Sequence, residues 1–176
     1  MEEVLDFWFR ELTRAQWFKK DPSLDARMRD RFGELLREAR SGELAHWRSS
    51  ARGRLAEIIV LDQFPRNIHR GHAEAFSSDG MALVLSQEFV RGGHGPELSP
   101  EERAFAYMPH MHSESRRVHQ EAVKLFSERG LEDRYRYELL HKEIIDRFGR
   151  YPSRNRILGR ASTAEEETFL ETHPGF

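Results

Sequence analysis

The sequence contains no cysteine among its 176 residues. Disulfide bonds, thiolate metal ligands and cysteine-based catalysis are therefore excluded. Long apolar runs are also missing, because the longest aliphatic stretch, Ile58 to Leu61, is far shorter than the roughly 20 residues that cross a bilayer. The acidic residues 1–6 do not resemble the basic start of a secretory signal. We therefore expect a cytoplasmic protein with no membrane partner.

Neither sign of charge is in large excess. The chain has 28 basic and 30 acidic residues, which gives a formal net charge of −2. Proteins that bind nucleic acid usually carry a strongly basic surface, and this balance does not predict one. We therefore expect no nucleic-acid partner, although five arginines lie between Arg147 and Arg160.

Alternation of apolar and polar residues, the pattern typical of strands, is not sustained anywhere, whereas helical signals recur. Asp21-Pro22 and the capping box Ser99-Pro100-Glu101-Glu102 predict helix starts. Ser162-Thr163-Ala164-Glu165 predicts another. Proline ends helices, so we expect one helix to stop at Pro65 and another before Pro109. The sequence thus predicts one all-α domain over residues 1–176, an antiparallel array of seven or eight helices.

The same pattern predicts which side chains are buried. We expect large aromatic residues to form the core, and these include Trp8, Trp17, Phe18 and Trp47. Three consecutive glutamates, residues 165–167, should face solvent at the start of the last helix, where negative charge is favourable. His119 has no feature that marks it as functional, and we treat it as a surface or incidental residue.

Several short strings are too particular for generic helices. They are VLDFWF (residues 4–9), LDQFPRN (61–67), YMPHMHSE (107–114), RFGRYP (147–152), RN (154–155), ILGR (157–160) and ST (162–163). Together they resemble the bacterial family called domain of unknown function 924. The resemblance implies a TPR-like fold, in which helix pairs stack into a curved superhelix, and it implies no reaction or cofactor. Two positions depart from the family pattern, since His110 replaces a usual aromatic residue and Ser153 a usual histidine.

The family strings concentrate polar side chains beside three helix breaks, at Pro65, Pro109 and Pro152. We hypothesise that these breaks meet at one concave site, because binding residues are commonly displayed at the ends of rigid elements. The candidate catalytic residues are His112, Glu114 and His141. The candidate ligand-binding residues are Asp62, Gln63, Arg66, Asn67, Arg147, Arg150, Arg154 and Asn155.

The favoured interpretation is a binding module that takes a peptide or a small anionic ligand in a groove. TPR-like superhelices present such a surface, and arginines bind carboxylates and phosphates in a bidentate manner. The alternative is a hydrolase-like enzyme in which His112 or His141 acts as a general base, with Glu114 or Asp62 orienting it and arginines holding an anionic substrate.

Two further interpretations concern the same residues. His110, His112 and Glu114 supply three possible metal ligands, but their spacing is not typical of zinc sites, and we assign no metal and no specific cofactor. Each polar residue is also open to a structural role, because helix ends leave backbone groups that buried polar side chains commonly satisfy. Pairing of Asp62 with Arg66, or of Glu114 with an arginine in 147–154, would be of this kind.

Overall fold

The computed structural model describes residues 1–173. In this part of the chain the α-helices are α1 Glu2–Asp6, α2 Pro22–Arg40, α3 Ala51–Asp62, α4 Phe64–Ile68, α5 Asp79–Arg91, α6 Pro100–Met111, α7 Arg116–Phe126, α8 Glu132–Phe148 and α9 Ala164–Thr172. Short 3-10 helices lie at Ala45–Ser49, Ala73–Phe76, Gly95–Glu97 and Pro152–Arg154, and a π-helical turn spans Phe7–Glu11.

The predicted all-α class is confirmed. Residues 1–173 contain no strand, and seven of their α-helices are nine residues or longer. Helices α5 to α8 pack each against the next one, as expected of an array with short connections. The curved TPR-like stacking of these helices stays a prediction. None of the helices in the described part combines the length and the apolar character needed to cross a membrane.

Helix starts follow the capping signals closely. The Asp21 carboxylate accepts hydrogen bonds from the amides of Ser23 and Leu24 at the start of α2, and Ser99 forms the predicted capping box with Glu102. The last box differs by one residue. Thr163 and Glu166 form it, rather than residues 162 and 165.

Two helices differ from the prediction, one in where it ends and one in its type. Helix α6 does not stop before Pro109 but continues through it to Met111. Tertiary burial explains this, since every residue from Ala104 to Met111 is buried and the packing of this segment compensates for the backbone bond that proline cannot make. The predicted first helix, about residues 2–12, changes to a π-helical turn after Asp6.

Helix α3 lies at the centre of the molecule. Ten of its twelve residues are buried, and it packs against α1, α2, α5 and α6. Apart from Glu57, residues 55–61 of α3 are apolar on every face of the helix, and such a stretch belongs in the interior, where burial of large aliphatic side chains supplies most of the stability. Because α3 is fixed on several sides, its last residue, Asp62, is held at a defined position.

Three predictions of burial were wrong. Phe18 is 57% exposed, although Arg134 covers its ring at 4.7 Å. His119 is fully buried and contacts the Glu138 carboxylate at 2.7 Å. Glu166 is also buried, because its carboxylate pairs with the guanidinium of Arg150. Hydropathy alone does not reveal such pairs, which bury charge only where a partner is available.

Helix α8 ends at Gly149, whose φ of +70° lies in the left-handed region. We expect Gly149→Ala to lower the free energy of unfolding by about 1 kcal/mol, because a side chain is strained at this φ. The matched control is Gly33→Ala within α2, where an added Cβ meets no atom within 4 Å and helix propensity rises. That variant should be more stable by up to about 1 kcal/mol. Urea denaturation of both variants measures the effect, and a stabilised Gly149→Ala would contradict the account.

Candidate functional site

Polar residues from three parts of the chain meet beside a cavity of about 320 Å³. Asp62 ends α3, His112 caps the end of α6, and Arg154 lies in the 3-10 helix that follows Tyr151. The cavity is lined by Ala73, Phe76, Ser77, Asp79, Gly80, Leu83, Pro109, His112, Ser113, Glu114, Arg154 and Leu158. One polar residue from each of these three segments therefore lies at this location.

The central contact is a hydrogen bond between His112 and Asp62. The Nδ1–H of His112 donates to Oδ1 of Asp62 at 2.7 Å, and the Gln63 amide donates to the other carboxylate oxygen. The His112 and Asp62 side chains are only 15% and 1% exposed. This bond fixes the ring orientation and leaves Nε2 as the ring nitrogen that can meet a ligand.

The surroundings favour a neutral imidazole and an ionised carboxylate. Burial and the charge of Arg66 lower the pKa of His112, against the opposing effect of Asp62. Burial by itself would raise the pKa of Asp62, but His112 (by its hydrogen bond and, once protonated in acid, by its charge) and the charge of Arg66 lower it to about 2. An unprotonated Nε2 beside a carboxylate-bound Nδ1 is the arrangement of a proton acceptor.

Two arginines share one carboxylate at the cavity wall. Arg66 binds both oxygens of Asp79 at 2.9 and 3.0 Å, and Arg154 donates to the same carboxylate at 3.2 Å. Arg66 also donates to the backbone carbonyl of Asp62, so the predicted Asp62–Arg66 pairing is secondary to the Asp79 contact. Asp79, at the first position of α5, thus connects α4 to the segment after α8.

Arg154 is fixed by two aromatic rings and two hydrogen-bond acceptors. Its guanidinium carbon lies 4.6 Å from the ring centroids of both Phe76 and Tyr151, and it donates to the backbone carbonyl of His112 at 3.0 Å. The stacking fixes a planar cation that carries five N–H donors. The structure therefore places a rigid guanidinium beside the backbone of His112, and both residues line the cavity.

Glu114 lines the cavity but already has strong partners. Arg160 binds both of its carboxylate oxygens at 2.7 and 2.9 Å, and the backbone amide of Tyr151 donates to it at 2.8 Å. Although burial opposes ionisation, these partners lower the pKa of Glu114. The carboxylate joins the turn after α6 to the segment after α8, and Arg160 rather than an arginine of 147–154 is its partner.

His141 approaches the site from α8. Its Nδ1–H donates to the carbonyl of Tyr137 at 2.7 Å, and its ring lies 5.7 Å from that of Tyr151. Burial lowers the pKa of His141 to about 4, and the nearby His112, His119 and Arg154 add to this effect. His141 is therefore neutral near pH 7, but it does not belong to the cavity lining.

The remaining candidates lie away from the cavity wall. Asn67 donates to Asp25, which also pairs with Arg70. Arg147 pairs with Glu165 at the surface. Arg150 and Asn155 both contact the buried Glu166. The Gln63 amide donates to the Asp62 carboxylate. The contacts of this group hold helices and turns together.

Comparison with known proteins identifies a family and a similar solved structure. A family model described as bacterial protein of unknown function, DUF924, matches residues 4–174. The chain belongs to this family. A solved structure of a protein of unknown function from Agrobacterium tumefaciens is similar over 98% of this chain and 97% of its own, with 36% sequence identity and a TM-score of 0.92. No curated protein matches the chain.

Some residues of this candidate site were not expected from the sequence. Asp79 and Tyr151 are central to it, since one bridges two arginines and the other stacks on Arg154. His119 lies 3.3 Å from the Tyr151 hydroxyl and contacts the carbonyl of Ser113 at 2.8 Å. The Asp79 signal was available as an acidic residue at a helix start, but its partners come from remote segments and only the fold brings them close.

The possible metal ligands around residue 112 are not gathered. His110 is buried against Ser86 at 3.0 Å, His112 contacts Asp62 and Glu114 contacts Arg160. Within residues 1–173 no three histidine, aspartate or glutamate side chains cluster in a way that would hold a metal ion.

The lowered pKa of Asp62 makes an acid-stability prediction. The folded-state pKa of about 2 lies below the ordinary 3.8. The stability that ionised Asp62 contributes to the fold is therefore present above about pH 4 and is lost as pH falls towards 2. We expect Asp62→Asn to reduce stability at pH 7 and to flatten the pH dependence in that acid range.

The control for Asp62→Asn is Asp133→Asn, because the Asp133 side chain is 84% exposed. It should leave the acid dependence unchanged within error. Denaturant midpoints measured at several pH values test both variants. Equal acid slopes for the wild type and Asp62→Asn would contradict the assignment of a buried, ionised Asp62.

Proposed function

We propose that the cavity binds a small anionic ligand, which contacts Arg154 and the His112 imidazole. The observation that carries the proposal is that a guanidinium stacked between two rings and an imidazole oriented by Asp62 belong to residues that line the same cavity. Arginine has more N–H donors than its two protein contacts use, and its planar group suits carboxylates and phosphates.

The start of α5 adds to this preference. Asp79 and Gly80 line the cavity at the first turn of this helix, and Ser78 makes no side-chain hydrogen bond that caps it. The amino end of a helix carries partial positive charge, which favours an anion nearby. Helix, guanidinium and imidazole thus act on the same space.

The size of the cavity favours a small ligand over a long peptide. A volume of about 320 Å³ is at the lower end of the range for ligand pockets, roughly 300–1,000 Å³. A peptide would fit only by inserting one acidic side chain or its terminal carboxylate. The proposal therefore names a small anionic molecule as the ligand.

Ligand-induced stabilisation tests the proposal. With butyrate at about ten times its dissociation constant, we expect the free energy of unfolding to rise by about 1.4 kcal/mol. Arg154→Gln should abolish this rise, whereas Arg154→Lys, which keeps the charge, should retain part of it. Thermal unfolding with and without butyrate gives the measurement.

Arg147→Gln provides the matched control, because Arg147 pairs with Glu165 at the surface, outside the cavity lining. It should respond to butyrate as the wild type does. A wild type that gains no stability from butyrate or from inorganic phosphate would refute the proposal. The same loss of response in Arg147→Gln and Arg154→Gln would place binding elsewhere.

The Asp62–His112 contact favours a second candidate, a hydrolase-like enzyme acting at the same cavity. An imidazole whose Nδ1 is held by a carboxylate can accept a proton from water through Nε2 and return it to a leaving group. Asp62 would orient the ring and stabilise the imidazolium that forms. Arg154 would hold the anionic part of the substrate.

Hydrolysis of an ester of a short acid, such as p-nitrophenyl butyrate, tests this second candidate. We expect His112→Asn and Asp62→Asn each to lower kcat about a hundredfold or more, since general acid–base catalysis contributes roughly 10²–10⁴. His141→Asn should change kcat little. Hydrolytic activity that survives in His112→Asn would refute a catalytic role of the Asp62–His112 pair. It would leave the proposal of anion binding at Arg154 unaffected.

A further inference from the structure

The charged groups at the cavity are already balanced among themselves. Three carboxylates, those of Asp62, Asp79 and Glu114, face three guanidinium groups, those of Arg66, Arg154 and Arg160. All six side chains are at most 27% exposed. With a neutral His112, the site therefore carries no surplus positive side-chain charge.

An anion that enters this site needs compensation. Placing an unbalanced charge in a water-poor environment costs several kcal/mol, and a nearby titratable group commonly changes its protonation state instead. His112 is the histidine that lines the cavity. We infer that the ligand is a monocarboxylate with a short apolar body, and that each bound ligand is accompanied by one proton taken up on His112. This inference rests on the proposed binding function.

The contacts of His112 suit the protonated form. Its Nδ1–H already donates to Asp62, so a proton added at Nε2 yields an imidazolium held between that carboxylate and the ligand carboxylate. The balance is simple. Near neutral pH the ligand arrives already as its carboxylate, His112 takes one proton from solvent, and the charges of the bound carboxylate and the imidazolium cancel.

Other charged groups near His112 do not offer the same response. Arg66 faces it from α4 and opposes its protonation, while Asp79 faces it from α5 and favours it. Arg154 contacts its backbone carbonyl, and Glu114 is committed to Arg160. Burial and the charge of Arg66 keep the pKa of ligand-free His112 low, so His112 is neutral before the ligand binds. Binding of an anion then favours its protonation near neutral pH.

His141 is the competing histidine, because it faces the site from α8 and interacts electrostatically with His112. Its Nδ1–H donates to the Tyr137 carbonyl, and it does not line the cavity. His119, from α7, is fully buried and contacts Glu138 and Ser113. A ligand in the cavity therefore contacts His112 and neither of these two rings.

The shape of the wall selects a monoanion with an apolar body. Phe76, Leu83, Pro109 and Leu158 line the cavity together with the polar groups. A phosphate dianion would bring a second negative charge and no apolar surface for these side chains. A short alkyl chain would cover them, while its carboxylate meets Arg154 and His112.

Calorimetry of butyrate binding in two buffers of equal pH and different ionisation enthalpy tests the inference. At about pH 7.5 we expect the wild type to take up close to one proton per butyrate, and the affinity to fall about tenfold per pH unit above the pKa of His112. Formate, which is three methylene units smaller, should bind up to about 60-fold more weakly, because each buried methylene contributes about a factor of four in affinity.

Two variants assign the proton. In His112→Asn the side-chain amide keeps a donor towards Asp62 but cannot take up a proton, so proton uptake should disappear and the weaker binding should become independent of pH. His141→Asn should retain the uptake of the wild type. Uptake that persists in His112→Asn, or that is lost in His141→Asn, would overturn the assignment.

The outcomes separate this inference from the function on which it rests. Butyrate binding with no proton uptake overturns the inference but leaves anion binding intact. Phosphate binding that is tighter than butyrate binding overturns the monocarboxylate class alone. Absence of binding by butyrate, formate and phosphate at millimolar concentrations refutes both.

Discussion

The carboxylate of Asp79 is the contact on which the site depends. It binds Arg66 from α4 and Arg154 from the segment after α8, and so joins parts of the chain 88 positions apart, at residues 66 and 154. Two guanidinium groups in such proximity repel each other unless an anion lies between them. Without Asp79, both cations would lose their common partner, and Arg154 would lose the contact that ties it to α5.

The burial of charge explains the order of this region. Asp62, Arg66 and Arg154 are all largely withdrawn from solvent, and such groups persist only when each is paired or hydrogen-bonded. The pairing also makes the geometry rigid, because moving one member exposes the others to an unfavourable environment. A rigid, polar wall with one titratable ring is well suited to hold a small ligand in one orientation.

A charge-balanced site differs from a simple basic patch. A basic patch attracts any anion, and its affinity falls steeply with salt. In the proposed binding, the Arg154 guanidinium would position the ligand, while the change in charge would arise at His112. Selectivity would then follow from the ability of the ligand to share a proton with the imidazole and to cover the apolar wall. This is why the proposed binding and the alternative catalysis use the same two residues.

The sequence by itself determined the all-α class and most helix starts, because caps and apolar spacing act over a few residues. Asp62, His112, Arg66 and Arg154 were among a longer set of candidates taken from the family strings, and the sequence did not distinguish them from the rest. It did not predict that α6 continues through Pro109, that Glu166 and His119 are buried, or that Asp79 and Arg160 are the partners of the key charges. Those outcomes depend on which remote segments meet. Charged side chains are buried only where an opposite charge is presented, and tertiary packing alone decides where that occurs.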